Sequence, residues 1–266
     1  MAPLHAARIS AESVVWEDPY IDWSAYDLLL IRSTWDYAYR RDQFLAWVEQ
    51  VAQQVPLFNP PHILRVNTHK GYLRELQQMG IPTVPTRYLP AGSCPELATV
   101  VSSLRAANGI VVKPVVGNSG RWTVRVLPDP TSIAAAEQRI TRILAHEEMM
   151  AQPFLPEIAT HGETSIVAIE GNITHAVRKR PAEGEFRVQP EYGGAEVAMD
   201  VPAELAAAMN AALGVAGTTL YARADFVQGD GGAPLLMELE LVEPDLFFRH
   251  SPDAVTRLVE AINRRV

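Results

Sequence analysis

A β-hairpin near the end of the chain constrains the fold more than any other feature of the sequence. Two apolar segments, Ala222–Phe226 and Met237–Pro244, flank a Gly-Asp-Gly-Gly turn. Side chains alternate across a strand, so Glu238 and Glu240 point to the same face of the second segment. If the two segments pair around the turn, Asp225 joins them on that face. The sequence therefore predicts three carboxylates on one patch of sheet.

Three carboxylates in this arrangement favour a bound divalent cation. Without a counter-charge they repel one another, and their pKa values rise. A hard cation such as Mg²⁺ removes that repulsion, and when a few carboxylates hold it, coordination positions stay open for nucleotide phosphates. Asp225, Glu238 and Glu240 are accordingly the predicted metal ligands. The alternative interpretation is a solvated hairpin face.

Composition argues against several other classes of protein. The 266 residues carry a formal net charge of -8, which argues against a nucleic-acid or anionic-membrane partner. The single Cys94 excludes an internal disulfide and fits a reducing compartment. We find neither a long apolar run nor a secretory leader. We therefore expect a cytoplasmic protein without a nucleic-acid or membrane partner; a homodimer stays open.

The first region, residues 1–66, carries the pattern of a small parallel α/β unit. An Asp-Leu-Leu-Leu-Ile run is typical of buried parallel strands, and apolar residues at helical spacing follow it. Strand, helix and strand in that order indicate a βαβ unit with a right-handed crossover. The predicted elements are strands at 13–16, 26–32 and 56–59 and a helix at 41–55.

The second region, residues 67–266, alternates strands and helices. It opens with a helix, capped by Asn67 or Thr68, that carries Lys70. The polar stretch 181–194 has no clear period and is predicted to be a mobile loop. The other predicted strands are 86–89, 110–113, 123–127, 149–152, 164–170 and 172–180, and the helices are 96–106, 132–144, 203–213 and 252–263.

Two segments of the second region suit a nucleotide. A strand ends in Lys113, and the glycine-rich turn that follows it can aim backbone N–H groups at phosphates. A later apolar strand is broken by Pro153 and Pro156, which leaves backbone groups unpaired for a flat adenine. Each segment has a plain alternative: an ordinary hairpin for the first, and an edge strand that meets a linker for the second.

The order of these motifs resembles the ATP-grasp superfamily between Asn67 and Glu243. No single motif is specific, but eight in this order are. The stretch from Gln152 to the loop 181–194 is similar to bacterial glutathione synthetase. The segments 14–19, 32–37 and 238–244 are instead similar to the branch containing the O-ureido-serine cyclo-ligase of D-cycloserine biosynthesis. The motif residues are Lys70, Lys113, the glycine loop Gly117, Asn118, Ser119 and Gly120, the hinge Gln152, Phe154 and Leu155, Glu163, Lys179, Arg187 and the three carboxylates.

The resemblance implies an α/β and α+β fold in which two α+β subdomains enclose ATP. The ATP-grasp domain would span 67–266, with a lid subdomain at about 83–151, and the small α/β domain at 1–66 would precede it. Relatives of this kind open with a strand, whereas the residues before Ser13 have the pattern of a helix. We therefore expect a first strand to be missing.

The resemblance also implies a reaction. ATP, with two Mg²⁺ ions, would activate a small-molecule carboxylate as an acylphosphate, which an amine-type nucleophile of the same or another molecule then attacks. An ATP-grasp kinase without ligation and a nucleotide-binding protein without turnover are the alternatives.

Roles for individual residues follow from the same resemblance. Lys70 and Lys113 would hold phosphates beneath the glycine loop, and the hinge would bind adenine. Glu163 would bind the ribose hydroxyls, while Lys179 and Arg187 would stabilise the transferring phosphoryl group or the tetrahedral intermediate. Many family members carry Asn at the position of Glu240, so one ligand here has an added charge.

A substrate site is predicted where the second strand of the first region ends. Ligands of open α/β sheets bind beyond the carboxyl ends of the strands. Arg32 could pair with a substrate carboxylate, Ser33 and Thr34 could donate to it, and Asp36 or Glu243 could meet an ammonium group. This pattern predicts an amino-acid-like substrate; a salt bridge from Arg32 to Asp36 or to another neighbour is the alternative. We expect this site to share no partner with the phosphate site.

Overall fold

The computed structural model describes residues 1–266, apart from the side chain of Asp230. None of the helices in this described part is long and apolar enough to span a membrane. The α-helices are α1 (Ala2–Ala6), α2 (Arg41–Val51), α3 (Pro61–Asn67), α4 (Tyr72–Gln78), α5 (Leu97–Ser103), α6 (Pro130–Leu144), α7 (Glu157–His161), α8 (Ala203–Ala216) and α9 (Pro252–Asn263). The strands are β1 (Leu29–Leu30), β2 (Leu57–Phe58), β3 (Arg87–Leu89), β4 (Ile110–Pro114), β5 (Val124–Val126), β6 (Met149–Pro153), β7 (Glu163–Ile169), β8 (Asn172–Arg180), β9 (Ala195–Met199), β10 (Tyr221–Gln228) and β11 (Pro234–Glu240).

The first region contains the predicted parallel βαβ unit in a reduced form. β1 pairs with β2 in parallel, with Leu29 opposite Leu57, and α2 lies between them in the chain. The prediction of a strand at 13–16 is wrong, because Trp16 is buried by aromatic packing and not by strand pairing. Its ring lies 5.6 Å from that of Phe44 and 5.7 Å from that of Trp47. Burying one such side chain contributes about 1.5–3 kcal/mol, so this cluster holds a region with little sheet of its own.

A four-stranded antiparallel sheet forms the middle of the chain, in the order β3-β6-β4-β5. Ile110 and Val112 of β4 are fully buried and alternate with half-buried neighbours, as expected for a strand with one face against a core. Helices α5 and α6 supply the other half of that core, through residues such as Leu97 and Ile140. The predicted strands and helices of this segment are present, with ends shifted by a few residues.

A five-stranded antiparallel sheet follows, in the order β11-β10-β7-β8-β9. α8 packs against it through Leu205 and Met209, and α9 through Ala261 and Ile262. The edge strand β9 of this sheet and the nearby helix α7 were absent from the sequence prediction. β9 is largely exposed, so its sequence lacks the apolar alternation that marks a strand.

The helix predicted to carry Lys70 is interrupted at that residue. α3 ends at Asn67 and α4 begins at Tyr72, so Lys70 lies in the turn between them. The backbone leaves the helix because the Lys70 N–H donates to the carbonyl of Val115, at 2.8 Å. This bond places Lys70 beside the end of β4.

Asparagine side chains join the first region to the hairpin. Asn59 is fully buried; its amide donates to the carbonyls of Tyr221 and Leu241, at 2.9 and 2.8 Å, and its oxygen accepts from the N–H of Leu220. Asn67 donates to the carbonyl of Leu239 and accepts from the N–H of Leu241, both at 2.7 Å. The amide of Asn67 thus occupies the edge of β11 as a neighbouring strand would.

Candidate active site

A cavity of about 510 Å³ is lined by residues of the two antiparallel sheets and of the first region. All the residues predicted to form the nucleotide, metal and catalytic sites line it. Of the five predicted substrate residues, Arg32, Ser33 and Glu243 do so, whereas Thr34 and Asp36 are not among the described residues that line it. Most of the residues that the sequence singled out therefore line one cavity.

The hairpin register brings the three predicted metal ligands together. β10 pairs with β11 so that Asp225 lies opposite Glu238, and Glu240 lies two residues further along the same face. One carboxylate oxygen from each of the three residues lies within 4.8 Å of the others. A cluster of hard oxygen donors at this separation fits Mg²⁺.

Arg223 belongs to the same cluster and was missed in the sequence. It lies two residues before Asp225 on the same face of β10 and opposite Glu240 in the register. Its guanidinium donates to both oxygens of Asp225, at 3.1 and 3.0 Å, and to Glu240. The signal was available, because the alternation that groups the acids also places Arg223 among them.

Two of the three carboxyl groups, those of Asp225 and Glu240, differ in their affinity for protons. Burial raises the pKa of Asp225, but Arg223, Lys179 and a 2.5 Å hydrogen bond from Ser165 outweigh burial and hold that pKa below its ordinary value. Burial raises the pKa of Glu240 to about 8, with Arg223 opposing the rise. Glu240 therefore keeps its proton at neutral pH more readily than Asp225 does.

Two lysines from different parts of the chain converge on Glu238. The Nζ atom of Lys113, on β4, lies 2.8 Å from Oε1 of Glu238, and that of Lys70 lies 3.8 Å from the same oxygen. Burial raises the pKa of Glu238, but these two ammonium groups outweigh burial and hold it well below its usual range. Lys70 also donates to the carbonyl of Gly117, at 2.6 Å, at the start of the glycine loop. Two cations beside a carboxylate cluster suit phosphate groups.

Lys179 links the carboxylate cluster to Glu163. The two residues lie opposite each other on β8 and β7 and form a buried ion pair, and Nζ of Lys179 also lies 3.4 Å from Oδ2 of Asp225. Burial lowers the pKa of Lys179, but Asp225 and Glu163 outweigh burial and raise it above its ordinary value. Glu163 is thus paired with the predicted catalytic lysine and borders the cavity.

Arg187 lies on the loop 181–194, which contacts the glycine loop. Its guanidinium pairs with Glu185 at 2.6 Å and stacks 3.5 Å from the ring centroid of Tyr192. The hydroxyl of Tyr192 donates to the carbonyl of Ser119, at 3.3 Å. The loop therefore reaches over one wall of the cavity.

The predicted adenine hinge lies where β6 ends. The Gln152 side chain is buried and donates to the hydroxyl of Thr86, at 3.0 Å. Phe154 and Leu155 follow the last strand residue, and the ring of Phe154 lies 3.6 Å beneath the guanidinium of Arg125. This end of the cavity combines flat apolar surface with backbone that has left the strand.

Arg32 and Glu243 lie at the other end of the cavity. One Arg32 nitrogen, Nη2, donates to the carbonyl of Pro244 at 2.6 Å, whereas Nη1 is buried without a hydrogen-bond partner among the described residues. Burial raises the pKa of Glu243. Ser33, between the strand end and the cavity, has a left-handed φ of 54°. An unpaired buried donor and local backbone strain are both typical of binding sites.

Asp36 turns away from this end. Its carboxylate pairs with Arg40 and accepts from the indole nitrogen of Trp16, at 3.2 Å. The alternative of an Arg32–Asp36 salt bridge is therefore wrong, and the structure does not bring Asp36 to the predicted substrate site. The hydroxyl of Thr34 is buried, but Thr34 is not among the described cavity-lining residues.

Two family models match the chain. The model described as prokaryotic glutathione synthetase, ATP-grasp domain, matches residues 87–229. The model described as D-cycloserine synthetase DcsG, N-terminal domain, matches residues 1–59. The two matches thus fall within the second and the first region respectively.

Individual proteins are similar over most of the chain. The cycloserine biosynthesis protein DcsG of Streptomyces lavendulae is 32% identical, over 97% of this chain and 89% of its own length. The crystal structure of D-cycloserine synthetase DcsG superposes with a TM-score of 0.89 and 30% identity, covering 100% of this chain and 94% of that one. The D-alanine–D-alanine ligase of Bacillus anthracis complexed with ATP has a TM-score of 0.65 at 17% identity, covering 91% and 79%, and shares the fold.

Proposed function

The chain belongs to the ATP-grasp superfamily of ATP-dependent ligases, as its motif order predicted, and from that premise we propose that it activates a small-molecule carboxylate as an acylphosphate for attack by an amine-type nucleophile. The γ-phosphoryl group of ATP passes to a carboxylate oxygen of the substrate, and ADP leaves. The nucleophile then bonds to the carboxyl carbon, and inorganic phosphate leaves with the electron pair of the broken C–O bond.

This proposal rests on the difference between the two ends of the cavity, which suit different chemical groups. One part of it holds two lysines and three carboxylates, which suit a metal-bound triphosphate. The other part holds Arg32, one nitrogen of which is buried and has no hydrogen-bond partner in the described part of the chain; this nitrogen suits a substrate carboxylate. A site that holds phosphates and a carboxylate in one cavity suits the transfer of a phosphoryl group between them.

Magnesium fits the carboxylate cluster, and ATP-grasp enzymes use ATP and Mg²⁺. Asp225, Glu238 and Glu240 offer three hard oxygen donors within 4.8 Å, and we assign two ions to them. When bound, such ions would neutralise the charge of the nucleotide phosphates.

The other residues of the chain bind, orient and stabilise. Lys70 and Lys113 hold phosphate oxygens beneath the glycine loop, and the hinge that follows β6 binds adenine through its backbone. Glu163 takes the ribose hydroxyls in this assignment, while its partner Lys179 lies beside the cluster and stabilises the charge that develops on the transferring group. Arg187 assists from the loop over the cavity.

The substrate is amino-acid-like in this proposal. Arg32 pairs with its carboxylate, and Glu243, which is buried beside the cavity, meets its ammonium group. The relative named for cycloserine biosynthesis favours an intramolecular ligation, in which one molecule of O-ureido-serine supplies both the carboxylate and the nucleophile.

The test is ADP release across a panel of amino acids, O-ureido-serine included, at saturating Mg²⁺ and ATP. We expect one panel member to release ADP and phosphate in equal amounts and to give a product whose mass corresponds to loss of water. A stable phosphorylated product would instead identify a kinase. Nucleotide binding without ADP release across the panel would contradict the ligase assignment.

A further inference from the structure

Arg121 joins the glycine loop to the first region of the chain. Its side chain is 5% exposed and pairs with Glu147 at 2.5 Å, and Nη2 also donates to the carbonyl of Val116 at 3.0 Å. Its guanidinium lies 4.9 Å from the ring centroid of Tyr39, in the first region, and 4.2 Å from that of Trp122. Glu147 thus satisfies the charge of Arg121, the carbonyls of Val116 and Ala38 accept from its Nη2 at 3.0 and 3.5 Å, and the two aromatic rings flank its guanidinium.

A second contact joins the same two parts. The side-chain amide of Asn118, in the glycine loop, donates to the carbonyl of Trp35 at 2.8 Å. Trp35 follows shortly after Arg32, the predicted carboxylate partner, and lines the cavity itself. The first region and the glycine loop thus meet at this contact, while Arg32 and Lys113 have different partners, Pro244 and Glu238.

The glycine loop is held in an unfavourable backbone conformation. Ser119 and Trp122 have left-handed φ values of 47° and 51°, which are uncommon for residues with a side chain. Such conformations persist only where surrounding contacts fix them. Arg121 lies between these two residues, so its contacts are placed to fix the loop.

We propose that Arg121 and Tyr39 are positioning residues that hold the glycine loop in shape for the nucleotide phosphates. The first region then contributes to nucleotide affinity through Tyr39, whose ring contacts Arg121. Arg121 itself lines the cavity, whereas Tyr39 is not among the described residues that do. This inference rests on the proposed function, in which the loop covers ATP. It assigns the first region a second task beside substrate binding.

Tyr39 offers a clean test because its side chain is 67% exposed, so substitution should cost little stability. The probe is the non-hydrolysable analogue AMP-PNP with Mg²⁺, titrated calorimetrically into the full chain. We expect Tyr39→Leu to raise the Kd for AMP-PNP about two- to five-fold, the range that an exposed cation–π contact provides. Tyr39→Phe keeps the aromatic face and should bind as the unaltered protein does. The matched control is Tyr20→Leu, the same change at a residue that is 92% exposed in the same region.

A double substitution tests whether Tyr39 affects nucleotide affinity through Arg121. Arg121→Met keeps the aliphatic stem but removes the guanidinium, so Tyr39→Leu should have no further effect on the Kd in that background. Equal affinity of Tyr39→Leu and the unaltered protein, additive effects, or equal losses in Tyr39→Phe and Tyr39→Leu would each overturn this inference. Failure of the unaltered protein to bind AMP-PNP would instead overturn the proposed function and this inference together.

Discussion

The hairpin β10–β11 and the segment 29–40 line the same cavity, yet they place their side chains by different means. In the hairpin, the antiparallel ladder is regular from Arg223 opposite Glu240 to Asp225 opposite Glu238, and a bulge follows only after Asp225; alternation therefore decides which face these residues occupy. In the first region, β1 is two residues long, and the chain then turns into a 3₁₀ helix from Trp35 to Tyr39. Sequence periodicity therefore predicts the direction of a side chain where strand pairing is regular. Where the pairing ends, individual contacts determine that direction.

The largest expected effect concerns the hairpin β10–β11, the region with regular strand pairing. Glu238→Gln removes one charge at nearly constant volume from a position that borders both lysines and the carboxylate cluster. We expect the Mg²⁺-dependent turnover rate to fall by at least about 100-fold, as for other losses of preorganised charge. The rate is measured as ADP release. The matched control, Glu75→Gln, lies exposed on α4 and should keep full activity; a normal rate for Glu238→Gln would contradict the metal assignment.

A smaller effect concerns the segment 29–40, where strand pairing ends early. Arg32→Ala should raise the KM for the amino-acid substrate about 10- to 100-fold, because a charge-assisted hydrogen bond is worth about 1.5–3 kcal/mol. The affinity for ATP should stay nearly the same. Lys113→Ala should show the opposite pattern, since Lys113 lies beside Glu238 at the phosphate end.

Steady-state kinetics with each substrate varied in turn measure both constants. Arg142→Ala, on the exposed side of α6, is the control. If Arg32→Ala weakened ATP binding as much as Lys113→Ala, the assignment of Arg32 to the substrate would be wrong.

Proton competition at the hairpin gives a third, intermediate effect. Burial raises the pKa of Glu240 to about 8, so this residue must lose a proton before it can act as a metal ligand. The apparent affinity for Mg²⁺ in the presence of AMP-PNP should therefore rise as the pH rises from 6 to 8, by up to about tenfold per pH unit for one released proton. Calorimetry in buffers with different ionisation enthalpies counts that proton. Glu240→Gln should flatten the profile, and an equally steep profile in this variant would exclude Glu240 as its source.

The smallest effect concerns the loop 181–194. Trypsin cleavage after Arg187 should slow several-fold when AMP-PNP, Mg²⁺ and substrate are bound, because closure over the cavity excludes water and protease. Mass spectrometry of timed digests measures the rate. Tyr192→Leu removes both the hydroxyl that donates to Ser119 and the ring that stacks on Arg187, so this variant should gain less protection. Equal cleavage of the unaltered protein with and without ligands would argue against a role for Arg187 at the reacting group.

Local periodicity predicted the elements and residues whose partners lie in regular ladders. It grouped Asp225 with Glu238 and Glu240, and the same alternation places Arg223 on that face as well. Asp36 also had a local signal, since Arg40 lies one helical turn further and pairs with it.

Other features depend on contacts between distant parts of the chain. The turn that carries Lys70 is fixed by the carbonyl of Val115, and nothing near Lys70 in the sequence marks that bond. β9 forms by pairing with β8 at the edge of a sheet, and its exposed residues carry no burial pattern. The contact of Tyr39 with Arg121 is of the same kind.

The contacts of Asn59 and Asn67 with the hairpin determine where the substrate region of such an enzyme can be exchanged for that of another ligase. Asn59 and Asn67 satisfy backbone groups at the ends of β10 and β11, so a first region taken from another ligase would leave those groups unpaired unless it supplied equivalent amides. A chimaera that exchanges substrate preference should therefore be cut after Asn67 and should retain both amides. The unit of exchange is the substrate region together with its two asparagines.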